Sequence, residues 1–152
     1  MGEGSGRLND QAPGNWTIGS LSEALSRDQF AGEIAIERVE GAEPVLIARM
    51  CNHGDLPIYL SLAGEQIVVS TLLWPVDEQA DASEFNAFLL KAQKMVPLSN
   101  FAITEIEGRE FYELIGELSA ESSLSMILLE LRVLAENAIS AASDLRDAFA
   151  AN

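Results

Sequence analysis

The sequence predicts an α+β domain in the order α-β(4)-α-β(2)-α, a twisted antiparallel sheet with its helices on one face. Three observations predict it. Two pairs of strand-like runs lie between residues 33 and 74, each pair joined by a loop short enough for a hairpin. A third such pair occupies residues 101–118. Segments with helical spacing precede, separate and follow these pairs. At 152 residues with 48% apolar composition, the chain suits a single domain over residues 16–152 with a core that needs no disulfides or metals.

Residues 1–15, MGEGSGRLNDQAPGN, contain one large aliphatic residue, Leu8, and are expected to form a flexible tail, because they cannot bury enough to offset their ordering entropy. Order is expected from Trp16. Ser20 to Glu23 have capping-box spacing, and Leu21, Ala24 and Leu25 share one helical face, with Gly32 closing the segment. The runs EIAIERV (33–39) and PVLIARM (44–50) flank EGAE, and IYLSL (58–62) and QIVVSTLLW (66–74) flank AGE. The fourth run is apolar at both parities, with Ile67, Val69 and Leu73 on one side and Val68, Leu72 and Trp74 on the other. Such a strand is expected in the middle of the sheet, covered substantially on both faces.

Pro75 ends that strand. Asp81 to Glu84 form a second capping box, and Phe85, Phe88, Leu89, Ala92 and Met95 follow on one helical stripe. Lys91 and Lys94 stand near its C-terminus, where the helix dipole favours cations, and Pro97 stops it. FAITEI and REFYELIGEL flank Glu107-Gly108 as the third hairpin.

The last helix, expected from about Ala120 to Ala148, has two apolar sides in its first three turns. Leu124, Ile127, Leu128, Leu131, Leu134, Ala135, Ala138, Ala142, Leu145 and Phe149 form one stripe at 100° per residue. Met126, Leu129 and Val133 lie opposite, on a side that turns polar at Asn137, Ser140 and Asp144. One stripe covers the sheet. The second patch meets either another element of this chain, such as the first helix, or a second copy of the chain. Burying these three side chains on each of two copies contributes about 8–15 kcal/mol of gross transfer energy before association costs.

Charge narrows the partners. With 24 acidic and 9 basic residues the formal net charge is −15, which repels phosphate backbones and anionic lipid headgroups. Nucleic acid and membrane surfaces are therefore poor partners, and a basic or aggregation-prone polypeptide is a better one. No apolar stretch approaches the ~20 residues of a membrane span, and no signal-peptide pattern opens the chain, so a cytoplasmic setting is expected. Cys51 is the sole cysteine, which excludes an intrachain disulfide.

Catalytic chemistry finds little support. Cys51-Asn52-His53 brings a thiol and an imidazole together in sequence, but neighbours at a strand end diverge and no third group is present to orient a base. One His and one Cys cannot supply a structural zinc site, and no phosphate-cradling glycine motif, calcium loop or nucleophile elbow occurs. No enzyme activity, metal or cofactor is expected. Glu105, Glu107, Glu110 and Glu113 crowd the third hairpin, with Glu105 and Glu107 on one strand face, as an acidic patch or simply a solvated one. Glu130, Glu136 and Asn137 interrupt the last helix near its second apolar side. Trp16, Trp74, Tyr59 and Tyr112 offer a lining for a peptide groove on the sheet face free of helices, with Tyr59, Trp74 and Tyr112 as the partner-facing candidates; core packing is the commoner fate of a Trp or Tyr on a strand.

The element order, joined to small size and acidity, resembles the fold of type III secretion chaperones, small acidic homodimers with a twisted antiparallel sheet. The segments GDLPIYLSLAGEQIVVSTLLWPVDE (54–78), EFNAFLL (84–90), PLSNFAI (97–103) and LSAESSLSMILLELRVLAENAI (118–139) resemble the YjfI family of bacterial proteins of unknown function. The resemblance covers most of the chain and implies a membrane-stress context. The sequence thus points to a non-enzymatic, homodimeric protein-binding domain, with Met126, Leu129 and Val133 as the candidate dimer or partner interface. The alternative is a regulatory domain that binds a small molecule between sheet and helices.

Overall fold

A computed structural model describes residues 14–147. The elements are α1 (Ile18–Leu25), β1 (Ile34–Val39), β2 (Val45–Met50), β3 (Leu56–Ala63), β4 (Gln66–Pro75), α2 (Ala82–Ala92), β5 (Asn100–Ile106), β6 (Arg109–Ser119) and α3 (Leu124–Asp144). The strands form one antiparallel sheet in the order β1-β2-β3-β4-β6-β5. β4 is interior, as expected of a run apolar at both parities. The α-β(4)-α-β(2)-α order stands.

Turn chemistry explains the third hairpin. Glu107 and Gly108 have φ of 51° and 81°, both left-handed, as a tight type I′ turn requires. The turn sets the register Ile106 with Arg109, hence Ile103 with Tyr112 and Phe101 with Leu114. Residues 112, 114, 116 and 118 of β6 therefore share the face of Ile67 and Val69.

The core lies on that face, under all three helices. Leu46, Ala48, Met50, Ile58, Leu60, Ile67, Val69 and Leu114 pack against Leu21 and Leu25 of α1 and Ile127, Leu131, Leu134 and Ala138 of α3. A second cluster joins Trp74, Phe85, Leu89, Tyr112 and Ala141 beneath α2. Beneath α1 and α3 the layer where a small ligand would lie between sheet and helices is filled by these side chains, and an apolar cleft of about 200 Å³ lies between α2 and β5.

The helix ends differ from their sequence expectations. α1 begins earlier, because Thr17 is its cap: the Thr17 hydroxyl accepts from the Ser20 amide at 3.0 Å, and the Thr17 amide donates to Ser20 Oγ at 2.9 Å. The earlier start brings Ile18 into the core beside Leu21 and Leu25. Asp81 caps α2 by accepting from the Glu84 amide at 3.0 Å, but α2 tightens into a 3₁₀ turn at Gln93–Met95. Met95 accordingly leaves the core stripe and is 83% exposed, and Phe88 is exposed as well. α3 starts at Leu124, where the Ser123 hydroxyl accepts from the Met126 amide at 3.2 Å. Ala141, not Ala142, is the buried alanine of its last turns. The expected tail up to residue 13, and the expected reach of the last helix to Ala148 and Phe149, lie outside the described residues.

Candidate polypeptide-binding surfaces

The sheet has two unlike faces. Opposite the helices, the register aligns Ile47 with Tyr59, Tyr59 with Ser70 and Ser70 with Ile115 across four strands. Val68 and Leu72 flank this row on β4, and Phe111 continues it along β6. These side chains are half-buried by one another, apart from the exposed Tyr59, and no described helix packs over them. The expectation that β4 is covered on both faces is thus corrected: its second face is apolar but open.

Glu113 and Glu117 stand on the same open face, opposite Leu72 and Val68. Burial among its neighbours pushes the Glu113 carboxyl above the usual carboxylate range. The sequence expectation that Glu105 and Glu107 share a strand face, and that Glu113 crowds the same hairpin patch, is corrected by the register. Glu105 pairs with Glu110 on the helix-side parity, Glu107 sits in the turn, and Glu113 faces the other way.

The candidate aromatics separate. Tyr59 is exposed on the open face. Trp74 and Tyr112 are buried on the helix side, which overturns their reading as partner-facing residues. Trp74 Nε1 donates to Gln79 Oε1 at 2.7 Å, and the Tyr112 hydroxyl donates to Asn86 Oδ1 at 2.6 Å. Their rings meet edge-on at 6.0 Å. A register shift between Leu72 and Pro75 turns Trp74 inward, against the strict alternation from which its side was inferred.

On α3, Met126 and Leu129 are 56% and 51% exposed, and Val133 is half-buried. All three lie on the side of the helix away from its core stripe. Asn137, one turn beyond Val133, donates to the Pro97 carbonyl at 2.9 Å and to Ser99 Oγ at 3.0 Å, which holds the turn before β5 against α3. Glu130 was expected near this second side. It is instead buried between α3 and β6, with Oε2 lacking a hydrogen-bond partner among the described residues, and burial raises its pKa.

Most cations are neutralised within the fold. Arg132 binds Glu33 through two bonds of 2.6 and 2.9 Å, Arg109 binds Asp77 through two of 2.9 Å, and Arg146 binds Glu78 at 2.7 Å. Arg38 pairs with Glu40 and Arg49 with Glu37. The hydrogen bond from Arg132 holds the Glu33 carboxyl below its ordinary range. Lys91 and Lys94, the two lysines of the chain, have no ion-pair partner among the described residues.

Cys51 and His53 lie on one 3₁₀ turn, where Cys51 Sγ approaches the Arg49 carbonyl at 3.8 Å. Among the described residues no group of three His, Cys, Asp or Glu is placed to hold a metal, and no helix is long and apolar enough to cross a membrane.

The architecture is therefore that of an α+β domain, an antiparallel sheet with helices confined to one face. Residues 15–149 match the family described as uncharacterized proteins conserved in bacteria, DUF2170, and the chain belongs to that family. It is 41% identical over 101 residues to the uncharacterized protein YjfI of Escherichia coli K12, a match covering 66% of this chain and 76% of that one. The same protein of E. coli O157:H7 matches to the same extent. Among solved structures, YbjN of E. coli superposes with a TM-score of 0.56 at 14% identity, covering 84% of this chain and 88% of that one. A chain of the ExsC–ExsE complex superposes with a TM-score of 0.44 at 13% identity, covering 78% and 80%.

Proposed function

We propose that this protein is a non-enzymatic, homodimeric protein-binding adaptor of the bacterial cytoplasm that holds a segment of a partner polypeptide on its open sheet face. The observation that carries this reading is the uncovered apolar row Ile47–Tyr59–Val68–Leu72–Ile115, with Glu113 and Glu117, which have no ion-pair partner among the described residues, beside it. An apolar strip bordered by carboxylates suits a segment that alternates apolar and basic residues. Met126, Leu129 and Val133 offer a second apolar contact on the helix side. The membrane-stress setting implied by the family resemblance is the working context.

The test is selection of displayed random peptides on the full chain, followed by amide chemical-shift mapping with one selected peptide. Enrichment of apolar–basic peptides that perturb Tyr59, Val68 and Ile115, with binding lost in Tyr59→Asp, supports the proposal. Selection of no peptide, or perturbations confined to other surfaces, refutes it.

A further inference from the structure

The helix layer is not closed between α2 and β5. The cleft of about 200 Å³ there is lined by Asn86, Leu89, Leu90, Phe101, Ile103 and Tyr112. Leu89 and Tyr112 are buried at its floor, whereas Leu90 is 69% and Ile103 43% exposed at its mouth. Apolar walls left in water favour an occupant that covers them. From Asn86 to Gln93 the helix rises only about 10 Å, a length that suits a small molecule rather than an extended polypeptide segment.

The two ends of the cleft differ in charge. The side-chain amide of Gln93 accepts from the Phe101 N–H at 2.7 Å and donates to the Phe101 carbonyl at 3.2 Å, which fixes the end of α2 beside the start of β5. That end carries Lys91 and Lys94, both exposed and without an ion-pair partner among the described residues. Lys94 follows Leu90 by one turn, and its flexible four-carbon stem brings the ammonium within reach of the mouth. At the other end the Tyr112 hydroxyl occupies Asn86 Oδ1 at 2.6 Å, so the Asn86 amide offers only its N–H groups to the cleft. Glu105 and Glu110 are paired across β5 and β6 just beyond Ile103 and Tyr112, and both are exposed. Cations therefore stand at one end, carboxylates at the other and apolar walls between them.

We propose that this cleft binds a small amphiphilic carboxylate, a medium-chain aliphatic acid whose chain lies between Leu90 and Ile103 and whose carboxylate meets Lys94. An apolar cavity of about 150 Å³ holds a molecule the size of benzene, so the cleft has room for about eight carbons. The sign of the head group follows from charge complementarity. At a net charge of −15 the field of the whole chain favours cations over most of the surface. A carboxylate is preferred only where local cations outweigh that field, and the Lys91–Lys94 end of the cleft supplies them. The carboxylates of Glu105 and Glu110 exclude the reverse orientation. This site is separate from the open sheet face and does not depend on the adaptor reading.

Calorimetric titration of the full chain with octanoate, butanoate and octylamine tests this, followed by amide chemical-shift mapping with octanoate. Octanoate is expected to bind saturably and to perturb Leu90, Phe101 and Ile103. Butanoate, four methylenes shorter, is expected to bind more than about tenfold more weakly. Octylamine has the same chain with the opposite charge and is expected to bind more weakly than octanoate, against the sign of the net charge. Leu90→Asp is expected to abolish octanoate binding, and Lys94→Glu to weaken it about threefold to tenfold. Both sites are exposed, so far-ultraviolet circular dichroism should stay unchanged. The proposal is overturned by the absence of saturable octanoate binding, by octylamine binding as tightly, or by octanoate binding retained in Leu90→Asp. Shifts confined to the open face at Tyr59 and Ile115 overturn it as well. Peptide binding on that face is read separately, so the two proposals fail independently.

Discussion

The carboxylate of Glu130 lies directly over the backbone of Gly116, in the seam where α3 crosses β6. A Cβ at position 116 would overlap the Glu130 carboxyl and approach Val69 Cγ2 to 3.1 Å. The absence of a side chain on β6 makes room for an acid on α3, and the acid is only 6% exposed.

Gly116→Ala is expected to destabilise the fold by about 1–3 kcal/mol, as overpacking of a filled seam does. In a Glu130→Ala background the same substitution costs less, because the carboxyl it displaces is gone. Chemical denaturation of the four proteins measures this coupling, and additive effects would show that the two residues do not share the space.

Glu130→Gln is expected to stabilise the protein at pH 7 by roughly 1–2 kcal/mol, because a buried charge without a partner is replaced by a neutral group. Burial raises the folded-state pKa of Glu130, so its stabilising contribution is fully present below the ordinary carboxylate pKa and is lost as pH rises through the folded value. The advantage of the variant should therefore shrink toward acid. Urea midpoints at pH 4 and pH 7 check the sign.

Arg132→Met should act in the opposite pH direction. Glu33 is held low by its bonds to Arg132, so the pair stabilises above the ordinary carboxylate pKa and loses its effect as pH falls through the depressed value. Arg132 is well exposed, which limits the loss at pH 7 to about 0.2–1 kcal/mol. Wild type and variant should have equal urea midpoints in strong acid.

Tyr112 and Tyr59 should separate stability from binding. Tyr112→Phe removes the bond to Asn86 and is expected to cost about 0.5–1.5 kcal/mol without changing peptide binding. Tyr59→Ala is expected to leave stability within about 0.5 kcal/mol and weaken binding on the open face. Denaturation and fluorescence-detected peptide titration of both variants would show whether either residue moves the other's readout.

How much of this was legible in the sequence depends on the range of the interaction involved. Periodicity and turn residues determined the six strands, the three helices, the interior position of β4 and the Glu107-Gly108 turn, because each arises from contacts within a few residues or from one alternating pattern. The apolar second side of α3 at Met126 and Leu129 was readable for the same reason. Helix ends were less so, since Thr17 and Ser20 cap as well as Ser20 and Glu23 would, and only burial of Ile18 selects between them. Tertiary structure alone decided which side of each strand the helices cover, and it reversed the expectation for Trp74 and Tyr112. A register shift on β4 turned Trp74 inward, and α2 settled over Tyr112, both effects of packing between elements distant in sequence. It also placed Glu130 over Gly116 and Lys91 at the opposite end of an edge from Glu105. Such neighbours depend on how helix, strand and edge meet in space, which periodicity within any one element does not encode.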